Sequence, residues 1–195
     1  MNNKIANIIV DYIKDLTWID KLAGLTQVAK INQNGVEKRY PISCSMAFDN
    51  VCVEGCYDEL APNSAYQSVV YFEDGGFSFI KQERNKLYYE STLKLIAWLN
   101  YNKLGGGCGS TGNYIIDIIR ALPSYPVSIG DLLGANIRVM SQAIRSDDIF
   151  SKYTFNQTAT QFLLLPYDFF SLEIRTSFYL IPECVEDTSG CLECT

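Results

Sequence analysis

The residues of this chain whose types and spacing can do chemistry are seven cysteines, two carboxylate pairs and one glycine-rich stretch. Cys52-x3-Cys56 and Cys191-x2-Cys194 have the paired spacing that tetrahedral zinc uses, with Cys44 and Cys184 in reserve. The competing reading is free thiols in a reducing compartment. It is the one adopted, so no metal and no cofactor are expected. Cys108 lies in the run Gly105-Gly-Gly-Cys-Gly-Ser-Thr-Gly112, ahead of a helical pattern, where backbone amides can cradle phosphate. A P-loop places lysine before its closing Ser or Thr, and Ser110-Thr111 lacks it. A linker with Thr111 capping the next helix is the simpler reading. Asp147-Asp148 and Glu73-Asp74 are able to hold a hard cation, but such pairs are ordinarily solvated turn residues.

Histidine is absent from all 195 residues. That removes the commonest general base, the commonest metal ligand and the usual nucleophile triad. Cys108 as a nucleophile would have no imidazole to activate it. The chain is therefore read as a non-enzyme. A cysteine-based zinc-binding or thiol enzyme of the cytosol is the alternative.

The elements that position these groups follow from hydrophobic patterning. Residues 3–16 carry Ile5, Ile8, Ile9, Tyr12, Ile13 and Leu16 at helical spacing, with Asn2 or Asn3 as cap. Residues 18–28 read as a short helix or a strand entry. Asn34-Gly35 marks a hairpin between Val28–Ile31 and Val36–Ser45, and residues 49–64 read as a loop. Tyr66–Phe72 and Phe77–Glu83 read as two strands joined by a turn at Glu73-Asp74-Gly75-Gly76. In the second strand Phe77, Phe79 and Lys81 lie opposite Ser78 and Ile80. A helix is expected over 113–122, ended by Pro123, then one helical turn near 128–133. Strands are expected over 135–144 and 169–181, the latter with Glu173, Arg175, Ser177 and Tyr179 on a wet face.

The longest element is Leu87–Tyr101, with neither Gly nor Pro, against a usual strand length of about 5–6 residues. Leu93, Leu95, Ala97 and Leu99 fall on one face, and Ile96 and Trp98 on the other. A strand buried on both faces needs two covers, and the second is either a helix or a neighbouring subunit.

The whole reads as α+β: a mainly antiparallel, long-stranded sheet with an N-terminal helix and a second helix packed on one face. One domain spans 1–182, followed by a polar, cysteine-containing tail over 183–195. With 48% hydrophobic and 19% charged residues the chain can build a core. A net charge of −6 disfavours tight, sequence-specific nucleic-acid binding. No apolar run approaches the length of a membrane span, and the first residues lack a signal-peptide pattern, so a reducing, cytosolic setting is expected.

Three stretches carry a resemblance: Trp18-Ile-Asp-Lys-Leu-Ala-Gly-Leu, Asp147-Asp-Ile-Phe-Ser-Lys-Tyr-Thr-Phe and Gln161-Phe-Leu-Leu-Leu-Pro-Tyr-Asp-Phe-Phe-Ser-Leu. They resemble segments of proteins from tailed phages of Bacteroidetes hosts, the crAss-like phages above all. The order of elements is similar to that of phage tail-terminator and neck ring proteins. The Cys52–Cys56 loop and the cysteine tail depart from that pattern. The resemblance implies a structural virion protein at the head-to-tail connection, made in the host cytoplasm. It would form a homo-oligomeric ring, contact adjacent neck or tail proteins, and let DNA pass through its lumen. The subunit contact is expected on the hairpin from Phe77 to Tyr101, with Tyr88, Tyr89, Trp98, Tyr101, Tyr167, Phe169 and Phe170 as interface residues. Aromatics of this kind mark protein contacts, and they are equally ordinary sheet residues.

Overall fold

A computed structural model describes residues 1–33, 35–44, 47–48, 51–52, 57–105, 111–154 and 161–182. The chain is α+β, built on one six-stranded sheet. Helix α1 (Asn2–Ile13) leads into β1 (Lys21–Leu25), β2 (Gln27–Gln33) and β3 (Val36–Cys44). Two short strands follow, β4 (Ala47–Phe48) and β5 (Val51–Cys52), then β6 (Tyr57–Glu59). The long hairpin is β7 (Ser68–Glu83) and β8 (Lys86–Asn100). Helix α2 (Thr111–Ala121), β9 (Val127–Ile129), β10 (Leu132–Ala143), the one-turn α3 (Ser146–Ile149) and β11 (Tyr167–Leu180) complete the order.

The main sheet runs β1-β7-β8-β11-β10-β9. Every pair is antiparallel except β1 with β7, which is parallel. The sheet is therefore mixed. β2 and β3 form a separate antiparallel ladder with β6, and Gln33 stands opposite Val36 across the Asn34-Gly35 position.

Both long helices lie on one face of the sheet. The isoleucines of α1 recur every three to four residues, which puts Ile5, Ile9 and Ile13 on a single buried stripe. They pack with Ile115 and Ile118 of α2 against Val70, Phe72, Leu93, Leu95, Ala97, Leu99, Phe170, Leu172 and Ile174. Each of the larger side chains contributes about 1.5–3 kcal/mol by leaving water.

The opposite face carries a second, smaller core. Val69, Tyr71, Ile96, Trp98 and Phe169 of the sheet pack against Leu60, Ile149, Phe150 and Tyr153, with Phe162 and Leu163 at its margin. The two covers that β8 requires thus come from the same chain: two helices on one side, irregular segments and single turns on the other.

Several expectations need correction. The Glu73-Asp74-Gly75-Gly76 stretch is no turn. β7 runs through it with one register shift between Asp74 and Phe77, and Gly76 takes φ +111°. A β-bulge absorbs the glycines, and the strand continues. The hairpin therefore spans Ser68–Asn100 and turns at Arg84-Asn85, where Arg84 is left-handed at φ 54°. A second shift at Ile80 sends Lys81 to the face opposite Phe77 and Phe79, since one extra residue inverts a strand's alternation. Residues 21–25 form a strand. Near 128–133 the chain makes a tight strand-to-strand turn with Gly130 at φ +59°, so no helical turn forms there. Asn2 lies inside α1, and its side chain makes no cap bond.

Candidate functional site

Four of the seven expected contact residues are interior. Trp98, Tyr101, Phe169 and Phe170 have exposures of 8% or less. Trp98 donates its indole N–H to the Phe162 carbonyl at 2.7 Å and stacks on Tyr167 at 5.3 Å between centroids. A strand too apolar to be satisfied within one copy is thus not what the fold contains. The segments around Leu60, Phe150 and Phe162 cover it, and no partner reaches these four side chains while the chain stays folded.

Tyr101 and Asp168 form a clamp with the start of α2. The Tyr101 hydroxyl donates to Asp168 Oδ2 at 2.8 Å and lies 2.9 Å from Thr111 Oγ1, which itself donates to Asp168. Burial, first of all, pushes the Tyr101 phenol up to about 12. Thr111, the expected cap of this helix, is the first residue of α2, and its hydroxyl bonds Asp168 on β11 and Tyr101. Cys108 and most of the glycine-rich run fall outside the described residues.

Of the two carboxylate pairs, Glu73-Asp74 has structural partners, while Asp148 is exposed. Glu73, expected in a solvated turn, is 4% exposed. It accepts the Tyr153 hydroxyl at 2.5 Å and pairs with the Lys152 ammonium at 2.8 Å. Burial first, then the Glu73 charge, drives the Tyr153 phenol far above its ordinary range. Tyr71 beside it is raised by burial in the same way. Lys94 donates to the Asp148 carbonyl at 2.7 Å, and burial lowers its pKa against the opposing pull of Glu73. These bonds fasten the 145–154 segment over the second face.

Asp74 belongs to a different network. Asn2 Nδ2 donates to Asp74 Oδ1 at 2.6 Å and to the Gly76 carbonyl at 3.1 Å, while Asn2 Oδ1 accepts the Ser91 hydroxyl at 2.6 Å. Asp74 Oδ1 also accepts the Gly76 N–H at 2.8 Å. The first turn of α1 thereby fixes the bulge.

Beyond that bulge the helical cover ends. Phe77, Phe79 and Ile80 are 44%, 54% and 55% exposed, and every residue of β7 from Asp74 to Glu83 is open to solvent. Phe77 stacks on Tyr89 at 4.9 Å, and Phe79 meets the same ring edge-on at 5.6 Å. Phe178 lies 6.1 Å from Phe77 and 6.0 Å from Tyr89. On the reverse face, Lys81 sits 5.0 Å over Tyr88 and Lys86 4.4 Å over Tyr179, with Tyr88 and Tyr179 5.7 Å apart. Tyr88, Tyr89 and Tyr167 are half-buried. Of the expected contact residues, Tyr88 and Tyr89 are thus partly open, and Phe77, Phe79 and Ile80 beside them are more exposed. Phe77 and Phe79 form an aromatic shelf with Tyr89 at a sheet edge, with Ile80 at the register shift beside it. Sequence reasoning placed them within the contact hairpin without singling them out. The sequence shows the apolar Phe77-x-Phe79-Ile80 run, but not that the helical cover stops short of it.

Among the described residues no three His, Cys, Asp or Glu side chains gather as a metal site. Of the zinc candidates, Cys52 sits in the two-residue β5, and Cys56, Cys191 and Cys194 lie outside the described residues. No helix of the described residues is long and apolar enough to cross a membrane. No protein-family model matches the sequence, and no curated protein does.

Proposed function

We propose that this chain is a structural protein that acts by assembly, a ring-forming subunit of the neck or tail of a tailed phage. The observation that carries the reading is the aromatic shelf at the distal edge of β7. Phe77, Phe79 and Ile80 stand exposed on the distal stretch of β7, which beyond Phe72 pairs with β8 alone among the described strands. An open, apolar strand edge invites another chain to pair with it, and proteins that do not use such an edge blunt it. Rotational closure of a repeating contact turns that edge into a ring and halts open-ended growth. The reading assigns no catalytic residue and no cofactor. Its partners are other copies of the chain and the proteins stacked above and below in the virion. A net charge of −6 suits a lumen through which DNA slides without adhering.

The test is the solution mass of the purified chain by light scattering, with negative-stain imaging of the same sample. A defined multiple of 22.0 kDa together with annular particles is the expected result. A monomer at every concentration refutes assembly by the isolated chain. A stoichiometric metal content would favour the cysteine-based alternative.

A further inference from the structure

The main sheet has two open edges, and they differ. On one side β1 pairs with β7 only between Val69 and Phe72, so Asp74–Glu83 is bonded to β8 alone among the described residues. On the other side β9 reaches β10 only between Leu132 and Ala135, so Asn136–Ala143 is bonded to β11 alone. These free stretches are similar in length, and, past Gly76, whose N–H and C=O are held by Asp74 and Asn2, each presents backbone groups with no described strand beside them.

We propose that the β7 edge of one copy pairs antiparallel with the β10 edge of the next. The proposal rests on the self-association reading above and specifies its contact. Direction supports it. Counting across the antiparallel ladders, β7 and β11 run one way and β8 and β10 the other. A second copy set beside the first in the same orientation therefore brings β7 antiparallel to β10, which allows the more stable ladder.

Side-chain facing supports it too. Phe77 and Phe79 share the face of Tyr89, and that face continues through Phe178. Across the ladder, Ile137 stands opposite Thr176 and Val139 opposite Ile174, so both project to the same side as Phe178. Pairing the two edges extends one apolar layer across the junction. On the reverse face Lys81 and Glu83 come alongside Arg138.

Pairing of one β7 edge with another, by contrast, leaves both β10 edges open. Head-to-tail pairing uses both edges of every copy, which is the condition for a ring. The cross-sheet register sets its shape. Asn136 is level with Ser177, Glu90 and Ser78, and Ala143 with Ser171, Ile96 and Tyr71. Full overlap of the two free stretches therefore needs an axial offset of about three to four residues, or about 12 Å at roughly 3.3 Å per residue. Over the four strands from β7 to β10, spaced about 4.8 Å apart, this is a strand tilt of about 30°. Closed sheets require a tilt and stagger of this kind.

The test uses two edge variants of the full chain. Phe79→Lys with Ile80→Lys places charge on the β7 edge, and Met140→Lys with Gln142→Lys places it on the β10 edge. All four positions are exposed, so both proteins should fold with melting curves near that of the parent chain. Each variant alone should run as a monomer, and an equimolar mixture should give a one-to-one dimer and nothing larger. In the parent assembly, amides in 77–83 and 136–143 should exchange about tenfold or more slowly than in the dissociated chain. Dimers of the β10 variant alone would show the β7 edge pairing with itself and overturn the proposal. Parent-like mass in both variants, or unprotected amides in an intact assembly, would overturn it while leaving self-association standing. A monomeric parent overturns both.

Discussion

Replacing Trp98 with alanine decides what shields the second face of the sheet. The indole is 1% exposed and is enclosed by Leu60, Ile149, Phe162 and Tyr167. Truncating a buried Trp or Phe typically costs about 3–5 kcal/mol, through lost transfer energy and the cavity left behind. Two further losses act here. The Phe162 carbonyl loses its donor at 2.7 Å, and a stranded buried acceptor costs about 1–3 kcal/mol. Tyr167 loses a ring stacked at 5.3 Å, worth about 0.5–1.5 kcal/mol. These contributions overlap, so the upper part of the range, about 4–5 kcal/mol, is the expected total. Domains of this kind have about 5–15 kcal/mol in hand, so the variant should fold but denature far earlier. The assay is urea denaturation followed by far-ultraviolet circular dichroism at two protein concentrations. Because the shield is intramolecular, the loss should be the same at both. A loss under about 1 kcal/mol, or one that disappears on dilution, would mean that another copy supplies the cover, and would refute the reasoning.

Glu73→Ala strips the acceptor from the buried Tyr153 hydroxyl and should destabilise by about 2–3 kcal/mol in the same denaturation assay. Lys152→Ala leaves the buried Glu73 carboxylate without its ammonium and should cost about 1–3 kcal/mol, more than loss of an exposed ion pair would. Gly75→Ala directs a Cβ to 2.9 Å from the Thr92 carbonyl oxygen. The bulge must shift, and a drop of about 1–3 kcal/mol in chemical denaturation is expected. Asn2→Asp sets a second carboxylate 2.6 Å from Asp74 Oδ1. The pair then shares a proton with a raised folded pKa, so the variant's deficit should be full near neutrality and shrink as the pH falls through the carboxylate range, by melting temperature against pH. Tyr71, Tyr101 and Tyr153 all titrate above the ordinary 10.0 when folded. The native chain then holds protons that the unfolded chain has released, so stability should fall as the pH rises above about 10. Tyrosine absorbance titrating in one step near 10 in the native protein would contradict this.

How much of the fold was legible depended on how local the signal was. The α1 stripe, the two-faced β8 and the wet and dry faces of β11 are periodicities written in consecutive residues, and they appear where the pattern put them. The bulge at Gly75-Gly76 was not legible, because a glycine pair after Glu-Asp satisfies a turn and a bulge equally well. What decides is the partner strand: Ser91 and Leu93 of β8 remain in register on either side. The cover over Trp98 was obscure for the same reason. It comes from single residues, Leu60 and Ile149 to Tyr153, scattered through stretches with no period of their own. The burial of Glu73 depends on Tyr153, eighty residues away. At the candidate site, the hairpin could be located from its length, but exposure is a property of where the helices stop, and no residue within 77–83 encodes that.

The exposed shelf is costly to keep unless it is used, and its rigidity points the same way. A two-stranded hairpin alone is marginal in water. Here β8 stays paired with β11 as far as Leu87 opposite Leu180, so the distal hairpin is the margin of a wide sheet and does not project from it. Asn2 pins the bulge from α1 through three hydrogen bonds, and Phe77, Tyr89 and Phe178 lock one another by stacking. Phe77, Phe79, Tyr89 and Phe178 are thus packed on one another within a single copy. Association then has little conformational entropy left to offset, so a modest contact area can hold. Release of the pin isolates this effect. Asn2→Ala leaves every shelf residue in place but frees the bulge, so it should weaken association by about tenfold through the ordering restored on binding. Its signature would be a larger unfavourable association entropy by calorimetric dilution, with the shelf's aromatic chemistry unchanged. An Asn2→Ala chain that associates as tightly as the parent would show that the edge's order is set by the sheet alone.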